Sequence, residues 1–332
     1  MIKKVLLIAA SIIFAISCSK TPTDPTNNGN TGDSGIIDEG SGTTDQTAIS
    51  DFLKNHSGRY YMQYGESRYV NVRIENGKLY NGTEKTEMDM SQSKIILSGN
   101  KLQIEFIGND SLKENSGITI FNFTDNIIQL YPKQIYKKEN FQIPNGYIEV
   151  GTLNGAAIYA GSYYQWYQDT SESPLVKSYI FTIDENGKIY GKQWMKDDGV
   201  IFELNGNILS YKFTRDGITT KYNFIMEAAR AINDGMYNDD IQYFEELKKS
   251  DLLTTYTGTY SGNGITLTVD EANAVISTIS VPENSDAILN GNTLIIYDDS
   301  SNVKEHKIVF NDNKTKATYT KPEGTTVELN KQ

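Results

Sequence analysis

Cysteine is almost missing from this sequence of 332 residues: Cys18 is the only one, so neither a disulfide framework nor a cysteine metal site can be built from it. Histidine is nearly as scarce. His56 and His306 lie far apart, and neither has a second ligand or a nucleophile at a useful spacing, which disfavours a Ser-His-Asp arrangement and a histidine zinc site. Phosphate-binding glycine loops and Asp-x-Asp-x-Asp-Gly calcium loops are absent, and no cofactor or metal is implied. Positive charge is in deficit, with 31 Lys and Arg against 42 Asp and Glu, a net of −11. A field of that sign repels nucleic acid and argues against it as a partner. After residue 17 no run is apolar enough to cross a bilayer, which takes about 20 residues.

What the first 17 residues do contain is the layout of a secretory signal: Lys3 and Lys4, an apolar run from Val5 to Ile16, and small residues near its end. The Ala15-Ile16-Ser17-Cys18 that follows resembles the lipobox of bacterial lipoproteins, with Ala where the family usually has Leu. The resemblance implies diacylglycerol, and with it palmitate-type chains, on the Cys18 sulfur and a mature chain that begins there. Acyl chains supply roughly 0.8 kcal/mol per buried methylene, so two or three can hold a soluble protein at a membrane. Ser19 after the cysteine is similar to the outer-membrane sorting pattern, which makes the expected location a lipid-anchored one in the cell envelope, at the outer membrane. Residues 18–47 are Ser, Thr, Gly, Asn, Asp and Pro with Ile36-Ile37 as the main apolar exception. They are expected to form a disordered tether with a coil dimension of about 30 Å.

From residue 48 onward a phrase is stated three times: Gly58-Arg59-Tyr60-Tyr61, Gly161-Ser162-Tyr163-Tyr164 and Gly258-Thr259-Tyr260. Each is followed by a Leu-x-Gly-Asn phrase, at Leu97, Leu204 and Leu289. This predicts a mainly β protein of three tandem antiparallel meander modules, over 48–140, 141–232 and 233–332. Alternating strands such as Tyr69–Ile74, Ser178–Ile183 and Ile265–Val269 are joined by turn sequences, Asn76-Gly77 and Asn186-Gly187 among them. A short helix is expected before the first module, with Ile49, Phe52 and Leu53 on one face. A longer helical segment, Met226 to about Leu253, is expected before the third, capped by Asn238 or Asp239 and carrying Ile241, Phe244 and Leu247 at spacing three.

A glycine-aromatic opening strand, a meander with Asn-Gly turns and a lipobox in front are together similar to lipocalin-like β-barrel lipoproteins of bacteria. The resemblance implies a barrel or half-barrel for each module, with Gly-x-Tyr here where a lipocalin proper has Gly-x-Trp.

The abundant chemistry is aromatic. There are 22 tyrosines, and the second module gathers Tyr163, Tyr164, Trp166, Tyr167 and Trp194, flat side chains able to stack on a sugar face or another planar or apolar ligand. Neighbouring strand residues point to opposite faces, so one of Tyr163 and Tyr164 is expected outside the core. The acid pairs, such as Asp184-Glu185, Asp197-Asp198 and Asp239-Asp240, sit at turns and helix starts, where carboxylates serve the backbone. The function expected is therefore a non-enzymatic, membrane-anchored protein that binds a glycan, an apolar small molecule or another protein. The rivals are a glycan hydrolase with paired carboxylates and a structural or antigenic coat lipoprotein.

Overall fold

The computed structural model describes residues 36–37, 39–64, 67–81, 86–88, 90, 93–169, 173–238, 241–242, 245–251, 253–270, 274–276, 287–298 and 304–332. Cys18 with its lipobox, and most of the 18–47 segment, lie outside the described residues. The protein is mainly β and the paired strands are antiparallel, as the alternation and turn spacing require.

A 3-10 turn over Glu39–Ser41 precedes a helix over Gln46–Asn55; Asp45 caps the helix by accepting the Thr47 amide at 2.8 Å, and Ile49 and Leu53 are its buried residues. The strands then run β1 (Gly58–Tyr64), β2 (Ser67–Glu75), β3 (Lys78–Asn81), β4 (Thr86–Glu87), β5 (Ser93–Ser98), β6 (Lys101–Phe106), β7 (Ser116–Thr124) and β8 (Ile127–Glu139). Next come β9 (Tyr147–Thr152), β10 (Gly161–Tyr167), β11 (Val176–Ile183), β12 (Lys188–Lys192), a short helix over Gln193–Asp197, β13 (Ile201–Asn205), β14 (Ile208–Arg215), β15 (Ile218–Met226) and β16 (Arg230–Asn238). After β17 (Ile241–Gln242) and β18 (Glu245–Ser250) follow β19 (Gly258–Gly262), β20 (Ile265–Val269), β21 (Ala274–Ile276), β22 (Ala287–Asn290), β23 (Thr293–Asp298), β24 (Lys304–Phe310), β25 (Lys316–Thr320) and β26 (Thr326–Lys331). At the β2–β3 hairpin Asn76 and Gly77 both have positive φ, +52° and +75°, the pattern of the tight turn that suits twisted strands.

The chain divides into two compact units. Unit I takes Met1–Gly42, Asp89–Phe121 and Leu130–Phe244; unit II takes Thr43–Met88, Asn122–Gln129 and Glu245–Gln332. In unit I the hydrogen-bonded order is β13-β14-β15-β16-β8-β10-β11-β12-β9. Its core holds Tyr163, Phe181, Ile183, Ile189, Phe224 and Ala231, all fully buried. Within the segment read as tether, Ile37 is buried and its amide donates to Gln103 Oε1 at 2.7 Å, so this part of the segment packs on unit I.

Unit II contains an eight-stranded, nearly closed barrel in the order β21-β20-β19-β26-β25-β24-β23-β22. Its first strand in sequence, β19, closes on its last, β26. The barrel core includes Tyr260, Leu267, Leu294, Ile308, Phe310 and Leu329. The same unit holds the ladder β18-β1-β2-β3-β4.

The three repeated phrases adopt one local structure. Gly58, Gly161 and Gly258 have φ of +155°, +152° and +139°, a region unfavourable to any side chain, and a Cβ there would strike the stem of Lys249, Lys138 or Lys331 respectively. Two residues on, the tyrosine hydroxyl donates to the carbonyl four residues before it: Tyr60 to His56 (2.8 Å), Tyr163 to Tyr159 (2.6 Å) and Tyr260 to Tyr256 (3.2 Å). A helical turn precedes each glycine, at Gln46–Asn55, Ala156–Tyr159 and Leu253–Tyr256. The first two copies share a β-bulge as well. Tyr60 faces Val72 and Tyr61 faces Val70; Tyr163 faces Phe181 and Tyr164 faces Tyr179, so Asn71 and Ile180 are each one residue extra.

The expected helix from Met226 to about Leu253 does not form. The described part of that stretch is the end of β15, then β16, β17 and β18 and the start of a 3-10 turn. Leu247 is buried between the exposed Glu246 and Lys248, Ser250 is buried at the strand end, and β18 pairs with β1 from Arg59↔Ser250 to Tyr61↔Lys248. A strand edge offering backbone partners outweighs a weak run of apolar residues at spacing three; one of these, Phe244, and the cap candidate Asp239 lie outside the described residues.

Candidate ligand site

The aromatic strand β10 carries two different environments on its two faces, both in unit I. Tyr163 is fully buried in the core and burial pushes its phenol up. The bulge at Ile180 keeps directly opposed residues on the same face beyond it: Tyr164 with Tyr179, Gln165 with Ser178, Trp166 with Lys177 and Tyr167 with Val176.

On the outer face, Tyr164 is only 4% exposed although it stands outside the core, because Trp166 packs on it edge-on at 5.8 Å and the Lys177 ammonium lies 4.3 Å from its ring centre. The alternation rule separates Tyr163 from Tyr164, but both are buried. A second layer of side chains covers what the rule leaves outside. Trp166 donates its indole N–H to Asp110 at 3.0 Å and exchanges backbone hydrogen bonds with the Asn115 amide at 2.7 and 2.8 Å. Trp166 donation, with the Lys137 contact at 3.2 Å, holds the Asp110 carboxyl below the usual carboxylate range. For Glu139 burial disfavours the charge, yet hydrogen bonds from Lys177, Tyr179 and Gln142 outweigh it and the net shift is downward.

On the inner face a hollow of about 180 Å³ opens where the core runs out toward solvent. Tyr167 and Trp194 line it, with Gln165, Ser178 and Lys192, and Trp166 borders it although its ring packs on the outer face. The Gln193–Asp197 helix presents Trp194, whose ring meets Phe213 edge-on at 5.6 Å, and buries Met195 behind the hollow. Two of the five aromatic residues singled out by sequence, Tyr167 and Trp194, therefore meet at this hollow, and Trp166 turns its ring to the outer face. Tyr163 serves the core, and Tyr164 braces the outer face. Gln165, Ser178 and Lys192 were not legible as site residues, because they come together only through the bulged β10–β11 register and the entry into the short helix.

A wider depression of about 580 Å³ lies at the Gly161 end, against Lys138, Glu139, Phe141 and Asp184. Its main charged groups are already committed. Lys138 donates to the Ala228 carbonyl at 3.1 Å, Glu139 is bonded by Lys177 and Tyr179, and Asp184 Oδ1 accepts the amides of Asn186 and Lys188 at 2.8 and 2.9 Å. Asp184 is thus a turn carboxylate, as its sequence context implies. The small hollow is the better candidate despite its size, since it combines exposed rings with polar groups not yet engaged.

No known protein family matches the chain, and no curated protein is recognisably similar to it. The histidines are packing residues: His56 lies between Phe52 and Phe123 at 4.3 and 4.7 Å, and His306 Nδ1 is 2.8 Å from the Tyr319 hydroxyl in the interior of unit II. Among the described residues no group of three or more His, Cys, Asp and Glu is placed to hold a metal ion. No described helix is long and apolar enough to cross a membrane.

Proposed function

We propose that this protein is an envelope lipoprotein, anchored through Cys18, that binds one ring of a glycan in the inner-face hollow of unit I. The observation that carries the reading is the convergence of Tyr167 and Trp194 on a hollow of about 180 Å³ rimmed by Gln165, Ser178 and Lys192. Drug-sized ligands occupy roughly 300–1,000 Å³, so this volume suits a single ring. Aromatic walls with a few polar groups at the rim are the chemistry of sugar stacking, and they ask for no catalytic step. Three lipocalin-like modules remain the organising idea, supported by the Gly-x-Tyr motif built the same way at Gly58, Gly161 and Gly258. The lipid anchor rests on the lipobox resemblance alone.

The chain has two tryptophans, of which Trp194 lines the hollow and Trp166 borders it, so intrinsic fluorescence reports on it. Glycan-array screening of the soluble chain from Ser19, which leaves out the lipid-bearing Cys18, followed by fluorescence titration with the hits, is expected to show saturable quenching that Trp194→Ala removes. A silent array with no quenching by any saccharide overturns the reading. For the anchor, radiolabelled palmitate is expected on the wild-type protein and not on Cys18→Ser.

A further inference from the structure

The polar side chains around the hollow fall into two sets. The first is satisfied internally: the Tyr136 hydroxyl donates to Gln134 at 3.0 Å, Gln165 Nε2 to the Ile135 carbonyl at 3.3 Å, the Trp166 indole to Asp110 at 3.0 Å, and the Tyr167 hydroxyl to Asp169 at 3.3 Å. The second set is Lys192, Trp194 and Ser178, whose side-chain polar groups have no hydrogen-bond or ion-pair partner among the described residues. Lysine ammonium and indole N–H can only donate, and serine can donate as well as accept. Lys192 is the only charged residue in the lining, and no Asp or Glu is part of it. A molecule whose acids outnumber its bases 42 to 31 thus places one uncompensated ammonium beside its aromatic walls.

We propose that the ring accepted by the hollow is an acidic sugar, a uronic acid residue of an anionic polysaccharide, with its carboxylate on Lys192 and its face against the aromatic side chains. The inference rests on the reading of the hollow as the glycan site. Donor-only groups select a ligand that brings acceptors, and a carboxylate brings two oxygens and the matching charge. The net negative charge of the protein opposes approach from a distance, but over a Debye length of about 8 Å at physiological ionic strength that repulsion is largely screened, and contact with Lys192 decides. Asp110 and Asp169 are occupied by Trp166 with Lys137 and by Tyr167 respectively, and Asp197, on the helix that presents Trp194, accepts from Gln193 at 2.9 Å.

Tri-galacturonate and its fully methyl-esterified counterpart share a ring and differ in charge, so calorimetric titration of the full mature chain with both isolates the carboxylate. Wild type is expected to prefer the acid by roughly five- to tenfold, in the range of an exposed charge-assisted hydrogen bond. Lys192→Met is expected to bring the acid down to the affinity of the ester while leaving the ester unchanged, and Trp194→Ala to weaken both. Unaltered tryptophan emission in Lys192→Met shows that the hollow is intact. Equal binding of acid and ester, or a preference that survives Lys192→Met, overturns the inference and leaves the glycan reading standing; binding of neither by wild type removes both.

Discussion

The barrel of unit II and the β10 sheet of unit I begin with the same glycine-aromatic strand and finish differently. In the barrel, β19 is closed by β26, the last strand of the same continuous stretch. In unit I, β10 is closed by β8, a strand that precedes it and belongs with the stretch opened by Gly58. The strand beside Gly58 is in turn β18, which comes after the stretch opened by Gly161. Lys331 packs on the glycine of its own stretch, whereas Lys138 and Lys249 pack on each other's. The Gly58 and Gly161 stretches have thus exchanged closing strands, and the Gly258 stretch has kept its own. One local motif serves both outcomes, since a strand edge is satisfied by any partner of the right pattern. The exchange makes the β1–β18 pairing, Arg59 with Ser250, far more distant in sequence than the barrel closure of Tyr260 with Lys331, which slows its formation, whereas β8–β10 becomes a nearer pairing, Glu139 with Ser162.

The sharpest way to break this comparison is to remove a closing strand. Ending the chain after Gly324 deletes β26 and exposes the edges of both β19 and β25. The barrel is expected to lose its cooperative unfolding transition by circular dichroism, while emission from Trp166 and Trp194, both in unit I, keeps its native wavelength. A simultaneous loss of both signals would show that the self-closed barrel is not independent. Next in size are the glycines. A Cβ at Gly161 would lie 2.9 Å from the Glu139 carbonyl as well as against Lys138, whereas at Gly258 it would meet only the movable end of Lys331. Gly161→Ala is expected to cost about 3 kcal/mol and Gly258→Ala about 1–2 kcal/mol, measured by urea titration. Equal costs would mean that the backbone conformation alone sets the penalty.

Smaller still is the tyrosine hydroxyl. Tyr163→Phe loses a 2.6 Å bond to Tyr159, and Tyr260→Phe loses two longer ones, 3.2 and 3.3 Å. Each is expected to cost about 1 kcal/mol, with the unit I variant the more affected. The smallest effect is the acid titration of Asp110. Its folded-state pKa is lowered, so its contribution is present above the ordinary Asp value of about 3.9 and is lost as pH falls through the lower folded value. A shift in tryptophan emission confined to that acid range is expected in the wild type and absent in Asp110→Asn.

Hairpins were legible in sequence because a two-residue turn and a two-residue side-chain period act locally. Asn76-Gly77, the Gln46–Asn55 helix and the alternation of β20 all follow from neighbours in the chain. Pairing between distant strands was not legible, since nothing in β8 or β18 says which glycine each will cover. The misread Met226–Leu253 stretch has the same cause, for β18 is a strand because β1 needs one. In the candidate site, ring-bearing residues announced themselves by size, and Tyr167 and Trp194 do share a hollow. Their polar companions Ser178 and Lys192 are ordinary residue types whose relevance comes from position, and that position depends on a single extra residue in β11.

That residue, Ile180, works as a phase shifter. Shortening β11 by one would leave Phe181 and Ile183 where they are and turn the whole outer end of the strand over, exchanging serine for lysine and tyrosine in the lining. Evolution could therefore rewrite what the cup holds by insertion or deletion of one codon, without retouching the packed interior beneath it.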